Sequence, residues 1–314
     1  MGTQSLPSAA APGARASVRL QGRNIALSNL DKVLYPKVGF TKGQVIDYYA
    51  RVAKVLLPHL KDRALTLKRY PNGVEEEFFY EKRCPSFRPP WVKTAAIWSS
   101  RQQERIAFCL ANDLPTLVWA ANLADLELHT SLARYRNPQR PTAMVFDLDP
   151  GPGVDIIDCA ETALWLKDFL AKQQLECFPK TSGSKGLQVY VPLNIPVTFD
   201  ETKAFARHAA ETLTACHPDR VLYRMEKSLR KNKVFIDWSQ NDDHKTTVCV
   251  YSLRAMERPT VSTPLKWTEV QGAIKKREPE NLVFASDELL RRIAKTGDLF
   301  EPVLTLKQRL PRLA

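Results

Sequence analysis

Hydrophobic and polar positions follow two periods along this chain, one typical of helices and one typical of strands. A helical period starts after Thr41, a suitable N-cap, and its apolar residues recur every three or four positions as far as Leu56. The same period predicts five further helices, at residues 114–123, 155–172, 200–216, 266–274 and 286–296. Strand-like apolar runs lie at residues 65–70, 78–82, 125–129, 144–149, 187–193 and 234–238. This mixture of strands and helices predicts an α/β fold with helices packed outside a central sheet.

The composition divides the chain into a short tail and one long folded region. Residues 1–17 are rich in Ala, Ser, Pro and Gly and have few large apolar residues, which predicts a disordered tail or linker. Structure is expected to begin near Val18. We find no internal repeat and no clear interdomain linker after that point, so residues 18–314 are predicted to form a single domain.

The most informative segment has the sequence MVFDLDPGPG, at residues 144–153. Asp147 and Asp149 are spaced i, i+2 at the end of a buried strand, so both side chains lie on the same face. Two carboxylates this close repel each other, and a bound divalent cation removes that repulsion. The simpler interpretation is a solvated pair of acids at a strand end. Asp237, at the end of a second apolar strand, is a third carboxylate that could complete a metal site.

Two further segments are candidates for contact with phosphate. The loop TSGSKG at residues 181–186 combines glycines with the hydroxyl of Ser182 and the charge of Lys185. It lacks the spacing of a Walker A loop, and a flexible hairpin loop is an equal alternative. Lys32 and Lys42 flank the start of the first helix, but solvated lysines are the commoner interpretation.

Basic and aromatic residues are mixed around residues 65–82, which favours contact with nucleic acid. Adjacent aromatic residues in a strand usually point to opposite faces, so we expect one of Phe79 and Tyr80 to be buried in the core and the other to be exposed. His129 ends a short strand, where a lone histidine is usually structural.

The net charge indicates the kind of partner, and the cysteine spacing indicates which kinds of cysteine site the chain lacks. The chain has 46 Lys and Arg against 34 Asp and Glu, a net charge of +12, which suggests a polyanionic partner such as nucleic acid. The six cysteines include no C-x-x-C pair, which argues against a zinc ribbon and a disulfide framework and predicts reduced thiols. No apolar run approaches a membrane span and residues 1–18 lack a signal-peptide core, so we expect an intracellular, cytoplasmic protein without a membrane partner.

Four motifs, in this order, resemble the polymerase domain of bacterial DNA ligase D: FDLDPG at 146–151, TSGSKG at 181–186, VFIDWSQN at 234–241 and YSLR at 251–254. The upstream segments LDKVLYP, KRYPNGV and LELH match as well, so the resemblance extends over about residues 24–300. That domain belongs to the archaeo-eukaryotic primase superfamily. The resemblance therefore implies a central mixed or antiparallel sheet that carries three aspartates, with flanking helices.

The resemblance also implies a function. It indicates a template-dependent nucleotidyltransferase that extends primer ends and fills short gaps in DNA double-strand break repair by non-homologous end joining. The family favours ribonucleotides over deoxynucleotides, binds DNA with a gap or break and a 5′-phosphate, and usually acts alongside a Ku protein and a DNA ligase. A bacterial, nucleoid-associated location follows from the same resemblance.

The family's functional residues can be placed on this sequence. The positions that would hold two divalent ions, Mn²⁺ or Mg²⁺, and carry catalysis are Asp147, Asp149 and Asp237. The positions of the nucleotide site are His129, Ser182, Lys185, Gln188, Arg254 and Lys68. The positions that contact DNA are Asn29, Lys32 and Lys42 for the downstream 5′-phosphate, with Phe79 and Tyr80 for stacking on the template.

One position departs from the family. The loop usually continues S-G-x-K-G-L-H, but residue 188 is Gln here. Gln can donate a hydrogen bond to phosphate, yet it cannot carry a positive charge or transfer a proton. A catalytically weakened DNA-end-binding module is therefore an alternative function.

The carboxylate side chains alone, without the resemblance, also agree with metal-dependent nucleotidyl transfer. Carboxylate ligands suit magnesium or manganese rather than zinc, and two such ions can activate a primer 3′-hydroxyl for attack on an α-phosphate. A less favoured enzymatic alternative is a haloacid-dehalogenase-like phosphatase, which also has a D-x-D motif after a strand. Here Pro150 and Gly151 replace its usual Gly-Thr, and the motif lies in the middle of the chain. An EF-hand is excluded because Pro152 occupies the position of the loop's glycine.

Overall fold

The structure is a computed structural model that describes residues 15–99 and 102–311. Most of the predicted tail lies outside the described residues. The first strand starts at Arg15, three residues before the expected start of structure at Val18. Among the residues described, no helix is both long enough and apolar enough to cross a bilayer.

The first half of the chain contains nine strands and two helices within the described ranges. In chain order they are β1 (Arg15–Leu20), β2 (Arg23–Ser28), β3 (Val33–Tyr35), β4 (Phe40–Thr41), α1 (Lys42–Leu60), β5 (Leu65–Arg69), β6 (Phe79–Glu81), β7 (Thr94–Ser99), β8 (Glu104–Cys109), α2 (Leu114–Asn122) and β9 (Asp125–Thr130). A short 3₁₀ turn, Pro36–Val38, joins β3 to β4.

The second half carries the aspartate strands and the remaining helices. Its elements are β10 (Ala143–Pro150), α3 (Ile156–Lys172), β11 (Phe178–Thr181), β12 (Leu187–Pro192), α4 (Phe199–Cys216), β13 (Val221–Leu222), β14 (Val234–Asp237), β15 (Thr247–Val248), β16 (Leu253–Ala255), β17 (Pro259–Val261), α5 (Trp267–Lys276), α6 (Ser286–Thr296) and α7 (Pro302–Thr305). Further 3₁₀ turns are Lys227–Leu229, Trp238–Gln240 and Pro279–Leu282.

Two larger sheets form the centre of the molecule. One has the strand order β11-β12-β10-β14-β13, and all its pairs are antiparallel except the parallel pair β13–β14. The other has the order β15-β9-β5-β8-β7, with β6 paired to β5. The prediction of an α/β fold with a mixed or antiparallel sheet bearing the aspartates is confirmed.

The side chains of β10 alternate between two faces, and each face contributes to a different hydrophobic cluster. Met144, Phe146 and Leu148 are fully buried against α3, α4 and α5 in one hydrophobic cluster. Val145, on the opposite face, belongs to a second cluster that includes residues of the other sheet, α1 and α2. Asp147 and Asp149 lie on the same face of β10 as Val145, because successive side chains on a strand alternate between its two faces. The two aspartates therefore lie on the side of the sheet that faces the rest of the N-terminal half.

Helix α1 begins as the sequence predicts. The Thr41 hydroxyl accepts the Gln44 N–H at 3.3 Å, and the Gln44 side chain accepts the Thr41 N–H at 2.7 Å, which forms a capping box. This arrangement fixes the first turn of the helix, where Lys42 lies.

The prediction that all cysteines are reduced is wrong for one pair. Cys84 and Cys109 form a disulfide, with Cα atoms 4.9 Å apart. Cys109 ends β8, and the N–H of Cys84 bonds to Ala107 of the same strand. The pairing of a loop residue with the end of β8 depends on a strand arrangement that cysteine spacing does not reveal. Cys159, Cys177, Cys216 and Cys249 are free thiols.

Candidate active site

The three predicted metal ligands lie on one face of the five-stranded sheet. Asp147 on β10 is directly opposite Asp237 on β14 in the antiparallel register, and Asp149 is opposite Phe235. Residues paired across neighbouring strands project to the same face. The sheet therefore brings together carboxylates that are 90 residues apart along the chain.

The electrostatics of this face favour a bound cation. Burial, followed by the charges of Asp149 and Asp237, raises the pKa of Asp147 to about 7. Burial and the Asp237 charge also raise the pKa of Asp149. Both shifts arise because neighbouring negative charges are held in a partly dehydrated site. A divalent cation would relieve this repulsion, so the donor set fits a magnesium- or manganese-type ion.

Asp237 is oriented by its own turn. Its carboxylate accepts hydrogen bonds from the Ser239 N–H at 2.9 Å, the Ser239 hydroxyl at 2.5 Å and the Gln240 amide at 3.2 Å. Asp147, Asp149 and Asp237 do not form a single tight cage. Across the described part of the chain, the only three acidic or histidine side chains whose ligand atoms all lie within 4.8 Å of one another are Asp242, Asp243 and His244.

This second acidic cluster lies on the surface and already has protein partners. Asp242 contacts the Lys203 ammonium at 2.5 Å, and Asp243 accepts a hydrogen bond from Gln139 at 2.9 Å. Asp242 also lies 2.5 Å from Nδ1 of His244. Both carboxylates of the cluster therefore already have protein partners.

Three residues that support the aspartate face were not predicted from the sequence. Asn241 is fully buried, and its amide bonds to both the N–H and the C=O of Val145, at 2.9 and 2.7 Å, which anchors β10. Lys180 is fully buried, donates to Val248 O and Ser262 Oγ, and partly offsets the charge of Asp147; burial lowers its pKa to about 7. Arg230 likewise offsets the charge of Asp149.

Gln188 lies in the middle of this arrangement. It is opposite Asp147 on one side and opposite Lys180 on the other. Its side chain is almost fully buried and donates a hydrogen bond to Asp147, while its Oε1 has no hydrogen-bond partner among the described residues. Gln188 therefore contacts a candidate ligand directly, which its position after the predicted loop did not reveal.

The predicted phosphate loop is a tight connection between β11 and β12. Ser182 Oγ accepts the N–H groups of Ser184 and Gly186, each at 3.2 Å, and Lys185 is exposed. Gly183 has φ +73°, and a Cβ there would lie 2.6 Å from the backbone of Val261. Only glycine fits this position, and the two hydrogen bonds to Ser182 Oγ close the loop.

Three basic residues with predicted nucleotide contacts meet around one carboxylate. Lys68 on β5 is directly opposite Glu127 on β9, and His129 follows on the same face of β9. Arg254 reaches the same carboxylate from β16 and also donates to the Ser182 C=O at 2.6 Å. Glu127 was not identified from the sequence, although D-L-E-L-H places Asp125, Glu127 and His129 on one strand face.

The residues predicted to bind a downstream 5′-phosphate lie together at the start of α1. The Lys42 N–H bonds to Lys32 O at 2.8 Å, and Lys32 Nζ donates to Asn72 at 3.0 Å. Asn29 precedes them with φ +52°. Burial, then the charges of Lys32 and Arg69, lower the pKa of Lys42 to about 8. An anion between these cations would relieve their repulsion.

The aromatic pair behaves differently from the prediction. Phe79 and Tyr80 are 51% and 46% exposed, so neither ring is buried in the core. The reason is that β6 pairs only with β5 and lies outside the main path of its sheet. The Tyr80 ring packs edge-on against His129, with centroids 5.6 Å apart, and its hydroxyl contacts Thr246. The pair therefore forms an exposed aromatic surface next to the nucleotide residues.

Comparison with known proteins agrees with this geometry. The family model described as "LigD, primase-polymerase domain" matches residues 41–300. The chain belongs to this family. It is therefore a nucleotidyltransferase of the primase-polymerase type, from a metal-dependent family.

Individual relatives support the assignment. The multifunctional non-homologous end joining protein LigD of Mycobacterium bovis is 41% identical over 287 residues, which is 89% of this chain and 37% of the relative. The bifunctional LigD protein of Bacillus subtilis is 34% identical over 276 residues, covering 87% of this chain and 43% of the relative. The chain thus spans about two fifths of the length of these curated relatives.

A solved structure matches the whole arrangement. The polymerase domain of Mycobacterium tuberculosis ligase D in complex with DNA superposes with a TM-score of 0.83 at 39% identity, covering 90% of this chain and 99% of that chain. The resemblance to ligase D polymerase domains and the predicted fold are confirmed. A haloacid-dehalogenase-like phosphatase and a catalytically weakened end-binding module are not favoured by these matches.

Proposed function

We propose that this domain extends primer 3′ ends across short gaps and breaks in DNA during non-homologous end joining, with ribonucleotides preferred. The observation that carries the proposal is the register of the five-stranded sheet, which places Asp147 opposite Asp237 and beside Asp149. This carboxylate face lies next to a loop closed by Ser182 and to three basic side chains that suit a triphosphate.

Asp147, Asp149 and Asp237 would hold two divalent ions, Mn²⁺ or Mg²⁺. When bound, such ions supply Lewis acidity at the attacking hydroxyl and the departing pyrophosphate. The ligand atoms of these three aspartates do not all lie within 4.8 Å of one another. This spacing suits two ions that share the ligands better than it suits a single ion. Gln188 donates to Asp147, the charge of Lys180 partly offsets that of Asp147, and the turn after β14 holds Asp237 in place.

The chain's own residues would bind and orient the nucleotide. Lys185 is exposed at the loop tip, where its ammonium can reach phosphate, and Ser182 keeps the loop closed. Arg254 adds a cation beside this loop, where it donates to the Ser182 C=O, and Lys68 adds a second cation across Glu127. The His129 ring lies against the exposed Tyr80 ring. These charges would neutralise the triphosphate and fix its direction.

DNA would be bound at two places. Asn29, Lys32 and Lys42 would receive the 5′-phosphate on the downstream side of the gap, near the N-terminus of α1. Phe79 and Tyr80 would stack on template bases. We further propose that residues 18–314 act as one catalytic domain whose N-terminal portion provides the 5′-phosphate contacts.

We also propose partners and a location. The relatives are named as end-joining proteins, so we propose that the domain acts with a Ku protein and a DNA ligase on broken ends. Its substrate would be chromosomal DNA, which places it in the bacterial cytoplasm at the nucleoid.

The test is extension of a labelled primer on gapped DNA with a downstream 5′-phosphate. Ribonucleotides and deoxynucleotides are compared with Mn²⁺ and with Mg²⁺, and the Asp147→Ala/Asp149→Ala double variant is the control. We expect extension by the wild type alone, with ribonucleotides used better. A wild-type protein that binds the gap but never extends it would contradict the proposal and support the end-binding module.

A further inference from the structure

The buried carboxylate of Glu127 has five polar neighbours. Its Oε2 lies 3.0 Å from His129 Nε2, 3.3 Å from Lys68 Nζ and 3.3 Å from Arg254 Nε. Its Oε1 accepts the Ala255 N–H at 3.1 Å and lies 3.4 Å from the Tyr70 hydroxyl. The Glu127 side chain is 3% exposed, so all of these contacts are shielded from water.

The three basic neighbours come from distant parts of the chain. Lys68 lies on β5, His129 on β9 and Arg254 on β16, and each is a candidate nucleotide contact. Lys68 is also held by the faces of two rings, with its Nζ 4.6 Å from the centroid of Phe78 and 5.3 Å from that of Tyr70. Among the described residues, Glu127 is the single group that all three basic side chains contact.

We propose that Glu127 is a positioning residue for the nucleotide site, which fixes Lys68 and Arg254 at their spacing and holds His129 as the neutral Nε2–H tautomer. This inference rests on the proposed function, because it assumes that these three residues face the nucleotide. Glu127 touches no substrate in this scheme and acts only through its neighbours.

The tautomer follows from hydrogen-bond chemistry. An ionised carboxylate can only accept hydrogen bonds, so the ring nitrogen that faces it must carry the proton. Although burial acts in the opposite direction, the His129 hydrogen bond and the Arg254 and Lys68 charges hold the pKa of Glu127 below its usual value. Burial lowers the pKa of His129 despite the opposing effect of Glu127, which favours the neutral ring. Nε2–H then donates to Glu127, and Nδ1 remains an acceptor for a hydroxyl.

The charge balance predicts an unusual kinetic effect for Glu127→Gln. The substitution removes one negative charge beside the triphosphate, so ground-state attraction for the nucleotide does not weaken. It also weakens the shared contact that fixes Lys68 relative to Arg254, so stabilisation of the reacting geometry is lost. We expect kcat to fall at least tenfold while KM for the nucleotide stays the same or decreases.

The matched control is Asp125→Asn. Asp125 is also fully buried on β9, two residues from Glu127, and contacts the backbone N–H of Lys68 rather than its ammonium. Loss of a buried acid on this strand is therefore common to both variants, but loss of the shared counter-charge is specific to Glu127→Gln. We expect kcat of Asp125→Asn to stay within threefold of the wild type.

The experiment has one kinetic arm and one arm that does not depend on activity. Steady-state extension on gapped DNA gives kcat and KM for both variants, and ¹⁵N imidazole spectra of the full chain give the His129 tautomer. We expect Nε2–H in the wild type and in Asp125→Asn, and a mixed population in Glu127→Gln. A wild-type Nδ1–H tautomer, an unchanged tautomer in Glu127→Gln, or a KM that rises as kcat falls would each overturn the inference. If the wild type does not polymerise at all, the proposed function fails, and the spectra alone decide the role of Glu127.

Discussion

Asp147 and Asp237 lie directly opposite each other on neighbouring antiparallel strands, β10 and β14. Asp149 is two residues further along β10, so three carboxylates share one face of a sheet whose other face packs Met144, Phe146 and Leu148 into a hydrophobic cluster. Such an arrangement costs stability unless a cation balances it. The cost can be measured, because the protein is expected to be more stable when one of the charges is removed or when an ion is bound.

The first prediction concerns this balance in Asp147→Asn. In EDTA, we expect the variant to unfold with a free energy about 1 kcal/mol higher than the wild type, because it lacks one of two adjacent like charges. Addition of Mn²⁺ should stabilise the wild type by about 2–3 kcal/mol at a hundredfold excess over its Kd, and the variant much less. Urea unfolding with and without the ion measures both effects.

The matched control for this experiment is Asp243→Asn. Asp243 belongs to the exposed cluster with Asp242 and His244, whose ligand atoms are close enough to compete for the ion. We expect Asp243→Asn to keep the full Mn²⁺ effect. Loss of the effect in this variant, with its retention in Asp147→Asn, would place the ion at the surface cluster instead.

A second prediction uses the pKa of Lys42. Burial and the neighbouring charges lower this pKa to about 8, so the free protein loses the Lys42 charge as pH rises through that value. Preference for DNA with a 5′-phosphate over DNA with a 5′-hydroxyl should therefore fall about five- to tenfold between pH 7 and pH 9.5. Fluorescence anisotropy with the two DNAs at each pH measures the ratio.

Proton linkage explains why the preference for a 5′-phosphate falls as pH rises. A bound phosphate raises the pKa of Lys42, so binding takes up a proton above about pH 8 and weakens with pH. Lys42→Arg keeps its charge across this range, so its preference should stay constant, and Lys42→Gln should lose the preference at every pH. An identical pH dependence in the wild type and Lys42→Arg would show that another group is responsible.

Some features of this molecule were predictable from local sequence, and others depend on long-range pairing. The carboxylates at 147, 149 and 237 were predictable because a strand's period of two and its end position determine the face of a side chain. Helix α1 was predictable from the Thr41 cap and the apolar stripe. The face of each carboxylate and the start of the helix depend only on residues that are close along the chain, whereas the pairing of Asp147 with Asp237 depends on strand order.

The remaining features required knowledge of which strands are neighbours. The Cys84–Cys109 bond and the exposure of both Phe79 and Tyr80 depend on where β6 and β8 lie in their sheet, which periodicity does not specify. Glu127 was missed for the same reason. Its position between β5 and β16 makes it a shared counter-charge, whereas in the sequence it is simply one acid in an alternating strand.

A third prediction tests the aromatic surface. Phe79→Ala should weaken binding of gapped DNA by about 1–2 kcal/mol, or roughly tenfold, because it removes one stacking ring. Phe87→Ala is the matched control, since Phe87 is even more exposed, at 64%, but lies outside β6. Anisotropy titrations at constant salt measure both. Equal losses in the two variants would indicate a general apolar contribution rather than stacking on the template.

A fourth prediction concerns the disulfide. Cys84 and Cys109 are 25 residues apart, so closing this loop should stabilise the fold by about 3 kcal/mol through the unfolded state. We expect four reactive thiols in the denatured, unreduced protein and six after reduction. The double variant Cys84→Ser/Cys109→Ser should unfold at lower urea concentration than the wild type. Equal stability of the two proteins under oxidising conditions would contradict a structural role for the bond.

The last prediction addresses Gln188, which stands where the resemblance to ligase D polymerase domains leads us to expect histidine. Gln188 donates a hydrogen bond to Asp147, but its Oε1 is buried without a partner among the residues that the structure describes. An unpaired buried acceptor costs about 1–3 kcal/mol. Gln188→His can keep a donor towards Asp147, lacks the amide oxygen and can carry a positive charge near the phosphates. We therefore expect this variant to be at least as stable as the wild type and to have a kcat two- to tenfold higher.

Gln188→Leu separates the two contributions of the side chain. Leucine removes the unpaired oxygen but also the donor to Asp147, so activity should fall about tenfold while the free energy of unfolding changes little. Primer extension and urea unfolding of the three proteins give the comparison. If leucine is tolerated as well as glutamine, the hydrogen bond to Asp147 has no catalytic value, and the family's histidine must act on the nucleotide rather than on the aspartate.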